Sequence, residues 1–156
     1  MAGRLGRFEM RESERGFAYV GVLALLAIMA LSAAASLALG AVSERRASEE
    51  ELLHIGMEFR EAFRSYARAG PTRYPLRLED LVEDVRSPQV RRHLRQIYID
   101  PMTGRSQWGL VPAPGAGLAG VYSLSEARPI KVAGFDLPFV QFAKAKSYKE
   151  WVFSAE

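Results

Sequence analysis

Cysteine is absent from the 156 residues. That removes disulfides, thiolate metal sites and cysteine nucleophiles from what the chain can do. Histidine is nearly absent, with His54 and His93 the only 2; neither has a Glu or Asp at a spacing that calls for a metal. His54 stands near Glu50, Glu51 and Glu58, which charge patterning on a helix surface explains. Charge of one sign is also scarce: 21 Lys and Arg against 18 Asp and Glu leave +3, too balanced to make nucleic acid or anionic lipid the main partner. Motifs of catalysis are missing as well. There is no GxSxG, and Ser36, Ser43 and Ser48 have no His in view. The Gly-rich PGAGLAG at 114–120 lacks the Lys and Ser/Thr of a phosphate loop and reads as a hairpin turn.

What the chain has instead is one long uncharged run, RGFAYVGVLALLAIMALSAAASLALGAV, at residues 15–42. After Arg15 it carries no charge, and it exceeds the roughly 20 residues that cross ~30 Å of hydrocarbon as a helix. It is longer than the apolar region of about 7–15 residues typical of a cleavable secretory signal, although ALGA at 38–41 offers a small-residue cleavage site. Arg4, Arg7, Arg11 and Arg15 precede it, whereas the charges after it, Glu44, Arg45 and Arg46, are mixed. That asymmetry predicts a cytoplasmic N-terminus and a single pass. The junction itself, a polar Arg-bearing leader ending in Arg15-Gly16 with the apolar helix starting at Phe17, resembles the type IV prepilin cassette. The resemblance implies that a prepilin peptidase cuts after Gly16 on the cytoplasmic side, that Phe17 is N-methylated, and that the apolar segment is retained. One position departs from the family: the fifth mature residue is commonly Glu, thought to meet a neighbour's terminal amine, and here it is Gly21.

Past Val42 the helical pattern continues to Ala69, where AGP ends it, with Gly40 and Gly56 as weak points. Leu52, Ile55, Phe59, Phe63 and Tyr66 recur at spacings of three and four, placing them on one stripe that needs an apolar surface to lie on. Residues 17–69 would form a rod of about 80 Å. Four segments follow: a cytoplasmic leader (1–16), a transmembrane or filament-core helix (17–42), its amphipathic continuation (43–69) and a globular head (70–156).

In the head, YPLRLEDLVEDV at 74–85 predicts a Pro-led turn and short helix. SPQVRRHLRQIY at 87–98 predicts another, capped by Ser87 with Pro88 in its first turn. Four runs rich in aromatic or β-branched residues, SQWGLVPA, GVYSLS, RPIKVAGF and KEWVFS, predict three or four antiparallel strands. In the last, Trp151 and Phe153 alternate with Glu150, Val152 and Ser154. The expected fold is therefore α+β, a long N-terminal helix packed on a small antiparallel sheet, as in pilins.

The order of YPLRLEDL, IDPMTGRSQWGLV and GVYSLS behind the cassette resembles the pseudopilins of the type II secretion system related to its major subunit. This implies a structural, non-enzymatic subunit of a pseudopilus or minor pilus in the bacterial inner membrane, its C-terminal domain periplasmic. The implied partners are other pseudopilin subunits in a homo- or hetero-polymer, the prepilin peptidase, an assembly platform with its ATPase, and the lipid bilayer. No cofactor or metal is implied: Glu126 and Asp136, with Arg128 and Lys131 between them, are too few carboxylates for the six to eight oxygens of Ca²⁺. Two rivals stay open. One is a competence or adhesion pilin whose RRHLR at 91–95 contacts DNA; the other is a signal-anchored periplasmic binding module that does not polymerise.

Overall fold

Glu12 to Ala69 contains no proline, and the first, Pro71, follows Gly70, so nothing removes a backbone donor until the chain is ready to turn. In a computed structural model, which describes residues 12–155, α1 spans Glu12–Ala69, 58 residues without a break at Gly40 or Gly56. For residues 12–18 and 33–41 only the backbone is described. The helix thus starts ahead of Phe17 and includes the end of the expected leader. Glu12, Glu14 and Arg15 are adequate helix formers, and no cap or proline stops the helix from extending through them. The chain divides into two compact units, Met1–Val42 and Ser43–Glu156.

The second unit is α+β. After α1 come a one-turn helix α2 (Glu79–Val82), strands β1 (Gly109–Pro112), β2 (Leu118–Tyr122) and β3 (Val152–Ser154), and two 3₁₀ turns at Val140–Lys144 and Tyr148–Glu150. The sheet is antiparallel in the order β1-β2-β3. A hairpin joins β1 to β2, closed by the Ala113 N–H donating to Gly117 O at 2.9 Å, with Gly115 and Gly117 at φ +97° and +98°, where L side chains are strained. The register shifts between Val111 and Pro112, and the proline sits on the outer strand, where its missing donor breaks no ladder.

One face of α1 makes the core. Leu52, Ile55, Phe59, Phe63 and Tyr66 are buried together with Leu81, Leu94, Trp108, Val121, Phe142, Trp151 and Phe153. Phe59 meets Trp108 edge-on at 5.0 Å, and Trp151 stacks on Phe142 at 5.3 Å. The closest approach is at Gly56: a Cβ there would clash with the Cδ1–Cε1 edge of the Phe153 ring. β3 is further held by α1, since Arg60 donates to Ser154 O at 3.3 Å and Arg64 to Ala155 O at 3.0 Å.

Two expected elements are corrected. Residues 87–98 form turns, not a helix. Asp84 and Arg91 exchange both backbone bonds at 2.8 and 3.1 Å, and the N–H groups of His93 and Leu94 both donate to Leu81 O. This folding-back overrides the Ser-Pro helix start. RPIKVAGF forms no strand either. Pro129 has no donor, and the N–H groups of Ile130 and Lys131 are taken by a carboxylate on α1 instead of a neighbouring strand.

Gly56→Ala tests the helix-to-sheet contact. Alanine gains about 1 kcal/mol of helix propensity, but overpacking against Phe153 opposes it by about 1–3 kcal/mol. Thermal unfolding should show a lower Tm; a higher one would mean that the Phe153 ring yields freely.

Candidate functional site

Residues 19–31 of α1 carry Tyr19, Val20, Val22, Leu23, Leu25, Leu26, Ile28, Met29 and Leu31, all exposed by 48–71%. At 100° per residue these positions point in every direction around the helix, so no single face is apolar; the whole cylinder is. Nothing in the described chain covers it, whereas the stripe at Leu52, Ile55, Phe59, Phe63 and Tyr66 is buried. Among the described residues, no helix is long and apolar enough to cross a membrane. The stretch 19–32, whose side chains are described, measures about 21 Å against ~30 Å of hydrocarbon; residues 33–41 and the side chain of Phe17 fall outside that description. Gly16 and Phe17 lie within the helical backbone of α1. At Gly21 a Cβ would meet nothing within 4 Å, so crowding within the chain does not account for a glycine at this position.

Three buried carboxylates hold the loops of the second unit, and none was singled out from the sequence. Glu49 on α1 accepts from the Ile130 N–H at 2.6 Å, the Lys131 N–H at 3.2 Å and the Tyr148 hydroxyl at 2.7 Å. One turn earlier, Arg45 donates to Arg128 O at 2.7 Å. Together they fasten residues 128–131 along the helix. Burial pushes the Tyr148 phenol up to about 12, and the bond to Glu49 acts in the same direction. The signal for Glu49 was its place three residues before Leu52, in line with the apolar stripe.

Asp84 is buried and accepts from the Arg86 Nε at 2.8 Å and Nη2 at 2.7 Å, and from His93 Nε2 at 3.1 Å. Arg86 also donates to Thr72 O and Tyr66 O, and its guanidinium lies 3.4 Å above the Tyr66 ring. His93 Nδ1 is 2.8 Å from Ser65 Oγ. With Nε2–H donating to the Asp84 carboxylate, a neutral imidazole leaves Nδ1 to accept from the serine hydroxyl. The Ser65-His93-Asp84 sequence has the donor order of a hydrolase triad, but its imidazole is enclosed, and the three groups join α1 to the loop after α2. The Arg86 hydrogen bonds hold the Asp84 carboxyl well below the usual carboxylate range, outweighing the upward push of burial. The third carboxylate, Asp100, accepts from the Met102 N–H, the Thr103 hydroxyl and, at 2.7 Å, the buried Ser123 hydroxyl, fixing the DPMTG turn to the end of β2.

The RRHLR segment is divided by its turn. Arg91 and Arg92 line a shallow cleft with Ser65, Arg68 and His93, whereas Arg95 lines another beside Glu79, Asp80 and Glu83. Among the described residues no group of three or more His, Asp or Glu could hold a metal ion. No protein-family model, curated protein or solved structure matches the chain.

Asp84 and Tyr148 predict opposite pH responses. A depressed Asp84 stabilises the fold above the ordinary carboxylate range near 3.9 and loses that contribution as the pH falls below it. Asp84→Asn should therefore be destabilised by about 2–3 kcal/mol at neutral pH, with the Tm gap to wild type narrowing below about pH 4. A raised Tyr148 stabilises below about 10 and loses its contribution as the pH rises through about 12. Burial also raises Tyr98, so alkaline absorbance titration should show a late-ionising phase that Tyr148→Phe reduces and does not abolish.

Proposed function

We infer that this protein is a structural, non-enzymatic subunit of a type II secretion pseudopilus or a related type IV pilus-like filament. It resides in the bacterial inner membrane, its N-terminus cytoplasmic and its head periplasmic. The observation that carries this reading is the uncovered, all-round apolar surface of α1 at 19–31, placed directly behind Arg15-Gly16-Phe17. Such a surface needs lipid or copies of itself around it. A subunit that moves from bilayer to filament core exchanges one apolar environment for another and loses little in the exchange. Ala24, Ala27 and Ala30 lie among the bulky residues of this run and let neighbouring helices approach closely.

Processing at Gly16-Phe17 has a structural requirement. The bond lies within α1, so the peptidase must open that turn to reach an extended backbone. Glycine weakens the turn by about 1 kcal/mol relative to alanine, and Gly16 is where that weakness helps. The mature subunit then meets the assembly platform and its ATPase, and the lack of Glu at Gly21 suits a minor component better than a uniform shaft.

Intact-mass measurement of the chain purified from bacterial membranes tests the reading. A mature form starting at N-methylated Phe17 is expected. A chain that keeps residues 1–16, or one starting near Ala41, would remove the filament subunit from consideration.

A further inference from the structure

Arg91 and Arg92, with Arg68 from the last turn of α1, border a cleft of about 400 Å³ that Ser65 and His93 also line. No carboxylate lines it. Arg68 is bonded to Glu61 at 2.7 Å, but the two side chains are 69% and 63% exposed, so this pair holds little. Among the described residues neither Arg91 nor Arg92 has a carboxylate partner. The turn that carries them is braced: Arg91 exchanges both backbone bonds with Asp84, and the His93 N–H donates to Leu81 O at 2.9 Å. Three guanidinium groups thus border a cleft with no acid in its lining, two of them on backbone fixed in advance, an arrangement suited to an oxyanion. Tyr66 O, one of the carbonyls near the end of α1 that would repel an anion, is already taken by Arg86 at 2.9 Å.

Ser65 and His93 set a condition on that anion. The His93 side chain is 4% exposed. Asp84, itself bonded to Arg86, faces its Nε2 from the loop after α2; Ser65 and the Tyr66 ring, edge-on at 5.5 Å, face it from α1. Arg68 from α1 and Arg91 and Arg92 from its own loop share its cleft. While the imidazole is neutral, the Ser65 hydroxyl commits its only hydrogen to Nδ1 and leaves lone pairs for the cleft, which repel an anion. A proton on Nδ1 reverses this: the ring N–H donates to Ser65 Oγ, and the hydroxyl hydrogen is free to meet a ligand. Asp84 is already in place as the counter-ion. We propose that the cleft binds one small tetrahedral oxyanion, a phosphate or sulfate group, and that one proton from solvent enters His93 with it. Each then strengthens the other, so the anion binds more tightly as the pH falls. Arg95, the remaining cation of RRHLR, lines a separate cleft with Glu79, Asp80 and Glu83. A phosphate polymer running along the segment would meet those acids, whereas a compact anion does not. This site is independent of the filament reading.

Because the chain has only 2 histidines, nitrogen NMR of the histidine-labelled protein reads both rings at once. The full-length chain in a non-ionic detergent is titrated with sodium sulfate at about pH 7.5, the ionic strength being held constant with chloride. Sulfate does not itself change protonation there, so any proton taken up belongs to the protein. Saturable conversion of His93 to imidazolium is expected, with the exposed His54 unchanged and sulfate bound about tenfold more tightly at about pH 6 than at about pH 8. The double variant Arg91→Gln, Arg92→Gln should keep the wild-type Tm and weaken binding at least about tenfold. Ser65→Ala should uncouple sulfate from the His93 proton. A His93 already protonated without sulfate, conversion that chloride alone reproduces, or sulfate binding that leaves the ring neutral would each overturn the site as proposed. So would an oligonucleotide or an anionic-lipid micelle that shifts His93 where sulfate and inorganic phosphate do not.

Discussion

Phe153 rests against the backbone of α1 because residue 56 has no side chain, and the rest of the second unit is arranged around that contact. The close approach brings β3 near enough for Arg60 and Arg64 to bind the carbonyls of residues 154 and 155. It also sets the depth at which Trp151, Phe142 and Phe139 stack beneath the helix. A sheet of three short strands buries little by itself; pressed onto a helix with an apolar stripe, it becomes one wall of a shared core.

Most of this unit is neither helix nor strand, and its irregular segments are fixed by buried carboxylates. Glu49, Asp84 and Asp100 each accept several bonds from a different loop, so polar backbone left outside regular structure is paired rather than merely enclosed. The same economy helps the second unit hold its shape in a chain without cysteine. A buried carboxylate with several donors organises a loop through its lone pairs, as a covalent bridge would through chain closure.

Periodicity made the helix face readable in the sequence, because Leu52, Ile55, Phe59, Phe63 and Tyr66 announce one stripe and Trp151 and Phe153 one side of a strand. The hairpin was readable from its glycines. What misled was local grammar that tertiary pairing overrode. Ser87-Pro88 looks like a helix start until Asp84 and Arg91 pair across it, and RPIKVAGF looks like a strand until Glu49 takes its donors. Glu49 itself sat in line with the stripe yet resembled a surface charge among Glu50 and Glu51. Contacts such as those of His93 join residues distant in the chain and leave no periodic mark.

The outer strand β1 ends in a register shift at Pro112. Sheet edges that lie flat and fully hydrogen-bonding recruit other strands, and a proline with a kink at the margin defeats such recruitment. Copies crowded side by side at high density can therefore touch through their side chains while their sheets remain separate. On that side of the head, close company does not become amyloid-like fusion.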